Sequence, residues 1–266
     1  MLPPNIQVEV KKINLREKTL KSVKDHVATE VPINIYVNNK PLITLFSSPI
    51  QIKELAIGWL LSQSIIKTTN EIEKIQIKEN NVKISCINEI EARIKAITTR
   101  MVDSSCGSTV EDFLYLIDKM KKPYVTSSYK VKAEKILEFI KVLNEKATIF
   151  KSTGGTHSAA IFHLNKMAAF TEDVGRHNAV DKAIGLAALK KVDFSRCVLV
   201  SSGRQPANMI LKAARVGIPI IASIAAPIYS GIQAATKTGI TLICLVRKYK
   251  MNVYSHPERI IFDNSA

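Results

Sequence analysis

A single cysteine stands among small polar residues in the run DSSCGSTVE, residues 103–111. Ser108-Thr109-Val110-Glu111 fits an S-x-x-E capping box that opens the helix TVEDFLYLIDKM. Cys106 then lies two residues before the N-cap, near the positive end of the helix dipole. Helix N-termini and nearby cations lower a thiol's pKa from its ordinary value of about 8.5. A reactive thiolate fits this place, with Gly107 as a hinge; an inert loop cysteine is the plain alternative.

Four other runs collect polar chemistry. In STGGTHSAA, residues 152–160, Gly154 and Gly155 allow a backbone to approach a ligand closely. Exposed N–H groups there, with His157 beside them, would hold an anion at the start of a following helix. EDVGRHNAVDK, residues 172–182, brings Asp173, Gly175, Arg176, His177 and Asn178 to a strand-to-helix junction. Arg176 suits bidentate phosphate binding, and Asp173 or His177 would orient a purine edge or position Arg176. SSGRQPAN, residues 201–208, sets Ser202, Gly203 and Arg204 after a buried strand, with Pro206 opening the next helix. It lacks the Gly-Lys-Ser/Thr of a Walker loop. LVRKYKMNVYSHP, residues 245–257, begins with Leu245, Val246, Arg247, Lys248, Tyr249 and Lys250 after the last strand. A phosphate role and a merely solvated charged edge both suit that run.

The elements that must position these runs follow from periodicity. Up to about residue 103 the chain reads as a small α+β domain, with residues 104–266 as an α/β domain carrying the Cys106 loop at its start. VPINIYVNNKPLITLF is a hairpin turning at Asn38-Asn39, and IEKIQIKENNVKISCI a second one turning at Asn80-Asn81. SPIQIKELAIGWLLSQ is a helix with Ser48 as N-cap, Pro49 at the first helical position and Gln51 completing a capping box. Its Leu55, Trp59 and Leu60 fall at core spacing. VKAEKILEFIKVLNEK is an amphipathic helix. Beyond it, strands MAAFTEDV, CVLVSS, IPIIAS and ITLICLVR alternate with helices NAVDKAIGLAAL, PANMILKAARVG and PIYSGIQAATKTG. Such alternation with short loops predicts an α/β fold: a largely parallel sheet covered on both faces. Ligands then bind beyond the carboxyl ends of its strands.

Composition narrows the class. The chain has 266 residues, 46% of them hydrophobic, and a net charge of +15. The charge favours anionic partners. The lysines are dispersed and only 6% of residues are aromatic, so nucleic acid is not the expected partner. The N-terminal residues lack the apolar run of a secretory signal, and the most apolar stretch, residues 216–229, is too short to span a bilayer and carries two prolines. A cytoplasmic location and no membrane are expected. The other cysteines, Cys86, Cys197 and Cys244, sit in apolar strand-like runs and read as small buried hydrophobes. With no C-x-x-C pair and no H-x-E, neither a disulfide scaffold nor a zinc-dependent deaminase is expected, and no zinc or other metal site.

The runs TGGTHSAA, EDVGRHNAVDKAIG, SSGRQPANMILKAARVGIPIIASIAAP and GITLICLVR together resemble the formate dehydrogenase accessory protein family, the FdhD-type sulfurtransferases. VPINIYVNN…PLITLFSSPIQIKELAIGWLLSQ is similar to that family's opening, and the resemblance covers roughly residues 30–257. It implies a cytidine-deaminase-like layered α/β/α domain, a homodimer, and a sulfur carrier. Sulfur would arrive as a persulfide from a cysteine desulfurase and pass to molybdenum bis(molybdopterin guanine dinucleotide), or its tungsten counterpart, for the formate dehydrogenase catalytic subunit. GDP would mimic that substrate. The family's persulfide-carrying cysteine falls on Cys106 and its cofactor-contact segment on residues 245–250. Two departures mark this chain. Thr109 stands where the family carries the second cysteine of a C-G-x-C pair, and Arg247-Lys248-Tyr249-Lys250 is more basic and bulkier than the family's glycine-containing segment. A chaperone that binds the cofactor or the apo-dehydrogenase without carrying sulfur is the alternative.

Overall fold

The structure is a computed structural model and describes residues 2–87, 90, 91, 93, 94 and 125–262. Cys106, the capping box behind it and the expected 103/104 domain boundary lie outside the described residues.

β1 (Asn5–Asn14) and β2 (Thr19–Ala28) pair as an antiparallel ribbon, which the sequence pattern did not announce because polar and charged residues occur on both of its faces. β3 (Val31–Val37), β4 (Lys40–Ser47), β5 (Ile72–Lys78) and β6 (Asn81–Cys86) form a four-stranded sheet in the order β4-β3-β6-β5. The first hairpin turns at Asn38-Asn39, whose φ values of 48° and 64° suit asparagine. The second turns one residue earlier than expected, at Glu79-Asn80, since Lys78 pairs with Asn81.

α1 (Ile52–Ser62) joins the two hairpins. Its start differs from the expected capping box. Gln51 adopts a left-handed φ of 53° and precedes the first helical residue, Ile52, with no side-chain cap. Ser48 is instead drawn into the candidate site, where its backbone and hydroxyl serve as anchors.

The second half begins with β7 (Val131–Lys132), α2 (Ala133–Lys146) and α3 (Thr148–Thr153). It continues through β8 (His157–His163), β9 (Lys166–Asp173), α4 (Arg176–Leu189), β10 (Cys197–Ser201), α5 (Ala207–Val216), β11 (Ile220–Ser223), α6 (Tyr229–Thr238), β12 (Thr241–Arg247) and β13 (Lys250–Ser255). The short β14 (Ile260–Ile261) pairs with β7. Six of these strands form one sheet in the order β13-β12-β11-β10-β8-β9.

That sheet is mixed, not largely parallel. Only β10, β11 and β12 run parallel, and α5 and α6 are the crossovers between them. β8 pairs with β9 and β12 with β13 through two-residue turns at Leu164-Asn165 and Lys248-Tyr249, and so tight a connection can only yield antiparallel neighbours. The helix expected after Gly154-Gly155 is the strand β8. Gly154, at φ 65°, closes α3 in a left-handed cap, and the buried run Ser158–Phe162 then extends.

α2 covers one face of the six-stranded sheet, with Ile136, Phe139, Ile140 and Leu143 against Phe162, Val198, Val200 and Ile220. α4, α5 and α6 cover the other. α1 packs outside α4 and is itself roofed by Ile33, Ile35, Val82 and Ile84 of the four-stranded sheet. Sandwiched on both sides, α1 is apolar nearly all round, as a fully enclosed helix must be. Trp59 is core, as its spacing predicted. Cys86, Cys197 and Cys244 are buried too, and burial pushes their thiols up to about 11, about 12 and about 12 respectively, leaving them protonated and unreactive.

Candidate anion-binding site

The topology gathers the expected residues on one edge. The carboxyl ends of β10, β11 and β12 point to the same side, and the antiparallel β8 and β9 bring the start of one and the end of the other beside them: Ala159 faces Ser201, and His157 faces Asp173. Along that edge stand residues 245–247, then 223–226, then 201–204, then His157, then 173–176.

His157, Ser202, Arg176 and Arg204 form the cluster. His157 Nδ1 lies 3.3 Å from Ser202 Oγ, which accepts the Ser158 N–H at 2.9 Å. Burial holds the His157 pKa below the ordinary histidine value, the charges of Arg176 and Arg204 lower it further, and Asp173 opposes them. His157 is therefore a neutral imidazole beside two guanidinium groups. Gly203 is glycine for a steric reason: a Cβ there would lie 2.8 Å from Arg176 Cβ. Arg176 crosses over that gap, and its Nε is buried without a hydrogen-bond partner among the described residues. His177 Nε2 shares that condition, and burial again lowers the His177 pKa, with a bond to Asn208 opposing.

Asp173 reaches inward. It is fully buried, and its Oδ2 accepts Ser47 Oγ–H at 2.6 Å, the Ser48 N–H at 3.1 Å and Lys182 Nζ at 2.5 Å. Its Oδ1 accepts the Gly175 N–H at 2.8 Å and Asn178 Nδ2–H at 3.1 Å. Of the two roles open to it, this geometry suits positioning Arg176 better than reading a purine. The Val174 N–H closes the tie by donating to Ser48 Oγ at 3.1 Å. The loop that carries Arg176 is thus held by the β4–α1 junction, from the other half of the chain. Ser47, Ser48 and Lys182 are the positioning residues that sequence reasoning missed. Serines before a proline look like a cap, and a lysine inside an apolar helix gives no hint of its partner. Glu172 serves the scaffold, since its carboxylate accepts the N–H groups of Ile149 and Phe150 at 3.1 and 2.8 Å and so caps α3.

Removing the charge of Asp173 therefore strands a buried ammonium. Lys182 is fully buried, burial pulls its pKa down, and besides Asp173 its Nζ bonds the Ser48 carbonyl at 3.0 Å. Asp173→Asn is expected to cost about 3–5 kcal/mol in urea unfolding at pH 7. Lys182→Met leaves Asp173 with its other donors and is expected to cost less. The reverse order would contradict these roles.

The remaining expected residues sit apart from that cluster. Gly154 and Gly155 are exposed at the entry to β8; a Cβ on Gly155 would lie 3.0 Å from Ala28 Cβ of the β1–β2 ribbon. Leu245 takes a left-handed φ of 54° at a bulge, Val246 is buried, and Arg247 Nη1 donates to the Ile224 carbonyl at 2.6 Å. Lys248, Tyr249 and Lys250 are exposed at the β12–β13 turn. Two strand spacings, about 10 Å, separate β12 from β10, and the loop after β11 fills the interval. Among the described residues no three His, Cys, Asp or Glu side chains converge as a metal-binding set, and no helix is long and apolar enough to cross a membrane.

Fold and site define a mixed α/β protein with a cationic, glycine-bearing rim at the carboxyl edge of its parallel strands. Residues 28–261 match the model of the FdhD/NarQ family, and the chain belongs to that family. It is 37% identical to the sulfur carrier protein FdhD of Saccharolobus solfataricus, over 95% of this chain and 99% of that one. It is 34% identical to the protein of the same name from Bacillus subtilis, over 91% and 92% of the two chains. A crystal structure assigned as a formate dehydrogenase accessory protein from Desulfotalea psychrophila superposes with a TM-score of 0.79 at 25% identity, covering 97% of this chain and all of that one.

Proposed function

We propose that this protein is a sulfur carrier that serves formate dehydrogenase, and that its rim holds the phosphates of a guanine dinucleotide pterin cofactor while Cys106 delivers sulfur to the metal. The observation that carries the binding half is the meeting of Arg176, Arg204 and a neutral His157, with Asp173 already engaged by Lys182. A polyanion relieves that concentration of positive charge, and the buried Arg176 Nε, which has no hydrogen-bond partner among the described residues, fits such a ligand. The cofactor is substrate here, not a resident group. The sulfur-carrying half comes from family membership and from the names of the relatives.

In this reading the Cys106 thiolate attacks the outer sulfur of a cysteine desulfurase persulfide. The S–S bond breaks, the donor cysteine leaves as a thiolate, and Cys106 carries the sulfane sulfur to molybdenum or tungsten. A homodimer in the cytoplasm is the working form. The α2, six-stranded sheet and α4–α6 stack is the part read as cytidine-deaminase-like.

Thr109, in place of a second cysteine, favours a second reading in which the protein binds cofactor or apo-dehydrogenase without carrying sulfur. Mass spectrometry after incubation with a cysteine desulfurase and cysteine separates the two. A gain of one sulfur atom on the Cys106 peptide supports carriage; an unmodified Cys106 under conditions that load a two-cysteine relative favours the chaperone.

A further inference from the structure

The outer face of the four-stranded sheet takes no part in the rim. Ile33, Ile35, Val82 and Ile84 point inward onto α1, so the residues that alternate with them point out. Strand register lays out that outer surface. Tyr36 pairs with Lys83 across β3–β6, and Lys83 with Gln76 across β6–β5. One step along, Asn34 pairs with Asn81, and Asn81 with Lys78. Tyr36, Gln76, Ile77, Lys78, Asn81 and Lys83 surround a depression of about 610 Å³. On its other side Tyr36 pairs with Pro41, at the far end of β4 from Ser47, so about 20 Å of strand separates Tyr36 from the rim's anchors.

Tyr36 and Asn81 are half-buried and make the floor, while Gln76, Ile77, Lys78 and Lys83 are exposed. Side-chain hydrogen bonds across three strands fix that floor. Asn34 Nδ2–H donates to Asn81 Oδ1 at 3.1 Å, and Thr44 Oγ–H donates to Asn34 Oδ1 at 2.8 Å. Both charged groups that line the depression are ammoniums, and neither is in an ion pair among the described residues. Lysines on an edge strand discourage unwanted strand pairing, which accounts for Lys78 on β5. Lys83 stands on the interior strand β6, where that reason does not apply.

Lys78 and Lys83 are diagonal neighbours across β5–β6, a relation that sets them about 7–8 Å apart. Alternate residues of an extended chain are about 7 Å apart. We propose that this depression docks an extended acidic segment of a partner protein, with carboxylates at alternate positions meeting Lys78 and Lys83 and the Gln76 carboxamide donating beside them. Most of the lining is exposed, so the occupant keeps one side in water, as a docked segment does and an enclosed small molecule does not. Single-stranded nucleic acid needs open aromatic faces. Here the aromatic ring that lines the depression already has the Lys83 ammonium over it, 5.9 Å from the centroid.

The test is fluorescence anisotropy of a fluorescein-labelled peptide of alternating glutamate and threonine, titrated with the full chain as wild type, Lys78→Glu/Lys83→Glu and Lys12→Glu/Lys21→Glu. Lys12 and Lys21 pair on the exposed β1–β2 ribbon, so the last variant changes the net charge equally but away from the sheet. Lys78→Glu/Lys83→Glu is expected to weaken the peptide about tenfold or more, and Lys12→Glu/Lys21→Glu to change it by less than about twofold. Carbodiimide coupling of the bound peptide to the wild type should join it to Lys78 or Lys83 in a peptide map. Equal weakening by the two variants would mean attraction to the overall charge of +15 and would overturn the assignment. So would a wild type that does not bind the peptide, or coupling confined to other lysines. A labelled oligouridylate that binds more tightly than the peptide and is released by Tyr36→Ala would give the face to RNA instead. Should Lys78→Glu/Lys83→Glu fail to fold by circular dichroism, the coupling map of the wild type decides alone. Neither readout involves GDP, so failure here is distinct from failure of the rim as a nucleotide site.

Discussion

Gly185→Ala is expected to destabilise the fold severely, and Gly58→Ala to do the same. α1 and α4 cross at these two residues. A Cβ on Gly58 would sit 1.7 Å from the Asp181 carbonyl oxygen, and a Cβ on Gly185 would sit 1.9 Å from that of Glu54. Each glycine meets the carbonyl four residues before the other, so the crossing is close to two-fold symmetric, and the two stretches share the tripeptide Ala-Ile-Gly. The obstacle is backbone on both sides and cannot rotate away. A methyl group at either position must separate the helices by roughly 1 Å or more to restore ordinary contact. α1 has no room to retreat, because the four-stranded sheet packs on its far side. Overpacking a well-filled core costs about 1–3 kcal/mol and occasionally more. Here the loss should exceed about 3 kcal/mol, a large share of a typical total of about 5–15 kcal/mol. The same separation would strain the Asp173–Lys182 and Asp181–Lys212 ion pairs, both buried, at 2.5 and 2.6 Å. The double substitution should cost less than the sum of the singles, since one methyl already opens the gap. Soluble yield and urea unfolding measure this, and a Gly185→Ala protein that unfolds at the wild-type midpoint would refute the crossing described.

Cys106→Ala is expected to remove sulfur transfer completely while leaving ligand binding at the rim intact. The other cysteines cannot substitute. Burial raises the Cys86, Cys197 and Cys244 pKa values to about 11, 12 and 12, so hardly any thiolate exists there at neutral pH, and the thiolate is the species that attacks a persulfide. Among the described residues the rim is built from Arg176, Arg204, His157 and their supports. Sulfur incorporation from a desulfurase and calorimetry with GDP give the two readouts. Sulfur loading that survives Cys106→Ala would end the carrier role assigned to that residue. Loss of both loading and GDP binding would mean that Cys106 is a structural part of the rim.

Much of this protein was legible before any fold existed. Hairpins at Asn38-Asn39, helices ending at Gly217 and Gly239, the alternation from β10 to β12 and three inert cysteines all follow from local chemistry: left-handed turns suit asparagine and glycine, and apolar runs must be buried. The glycine and arginine runs were recognisable for the same reason, as residue types that meet phosphates. Pairing was not legible. Whether β8 joins β10 parallel or antiparallel depends on partners distant in the chain, and the pattern of HSAAIFH suits either. Nor did anything near Lys182 reveal that it would neutralise Asp173, or anything near Ser48 that it would anchor Val174 instead of capping α1. Those contacts span more than a hundred residues for Ser48 and arise only where α1 lies against α4. By itself, then, the sequence determined which chemical groups this chain possesses and most of its helices, strands and turns, because those depend on neighbours within a few residues; the β1–β2 ribbon and the strand β8, whose partners are needed to define them, escaped it. Only the tertiary structure decided that Arg176, Arg204 and His157 share one rim, that Asp173 faces inward, and that the loop after β11 runs between the Arg204 and Arg247 segments, because sheet order and a glycine-on-glycine helix crossing set those distances.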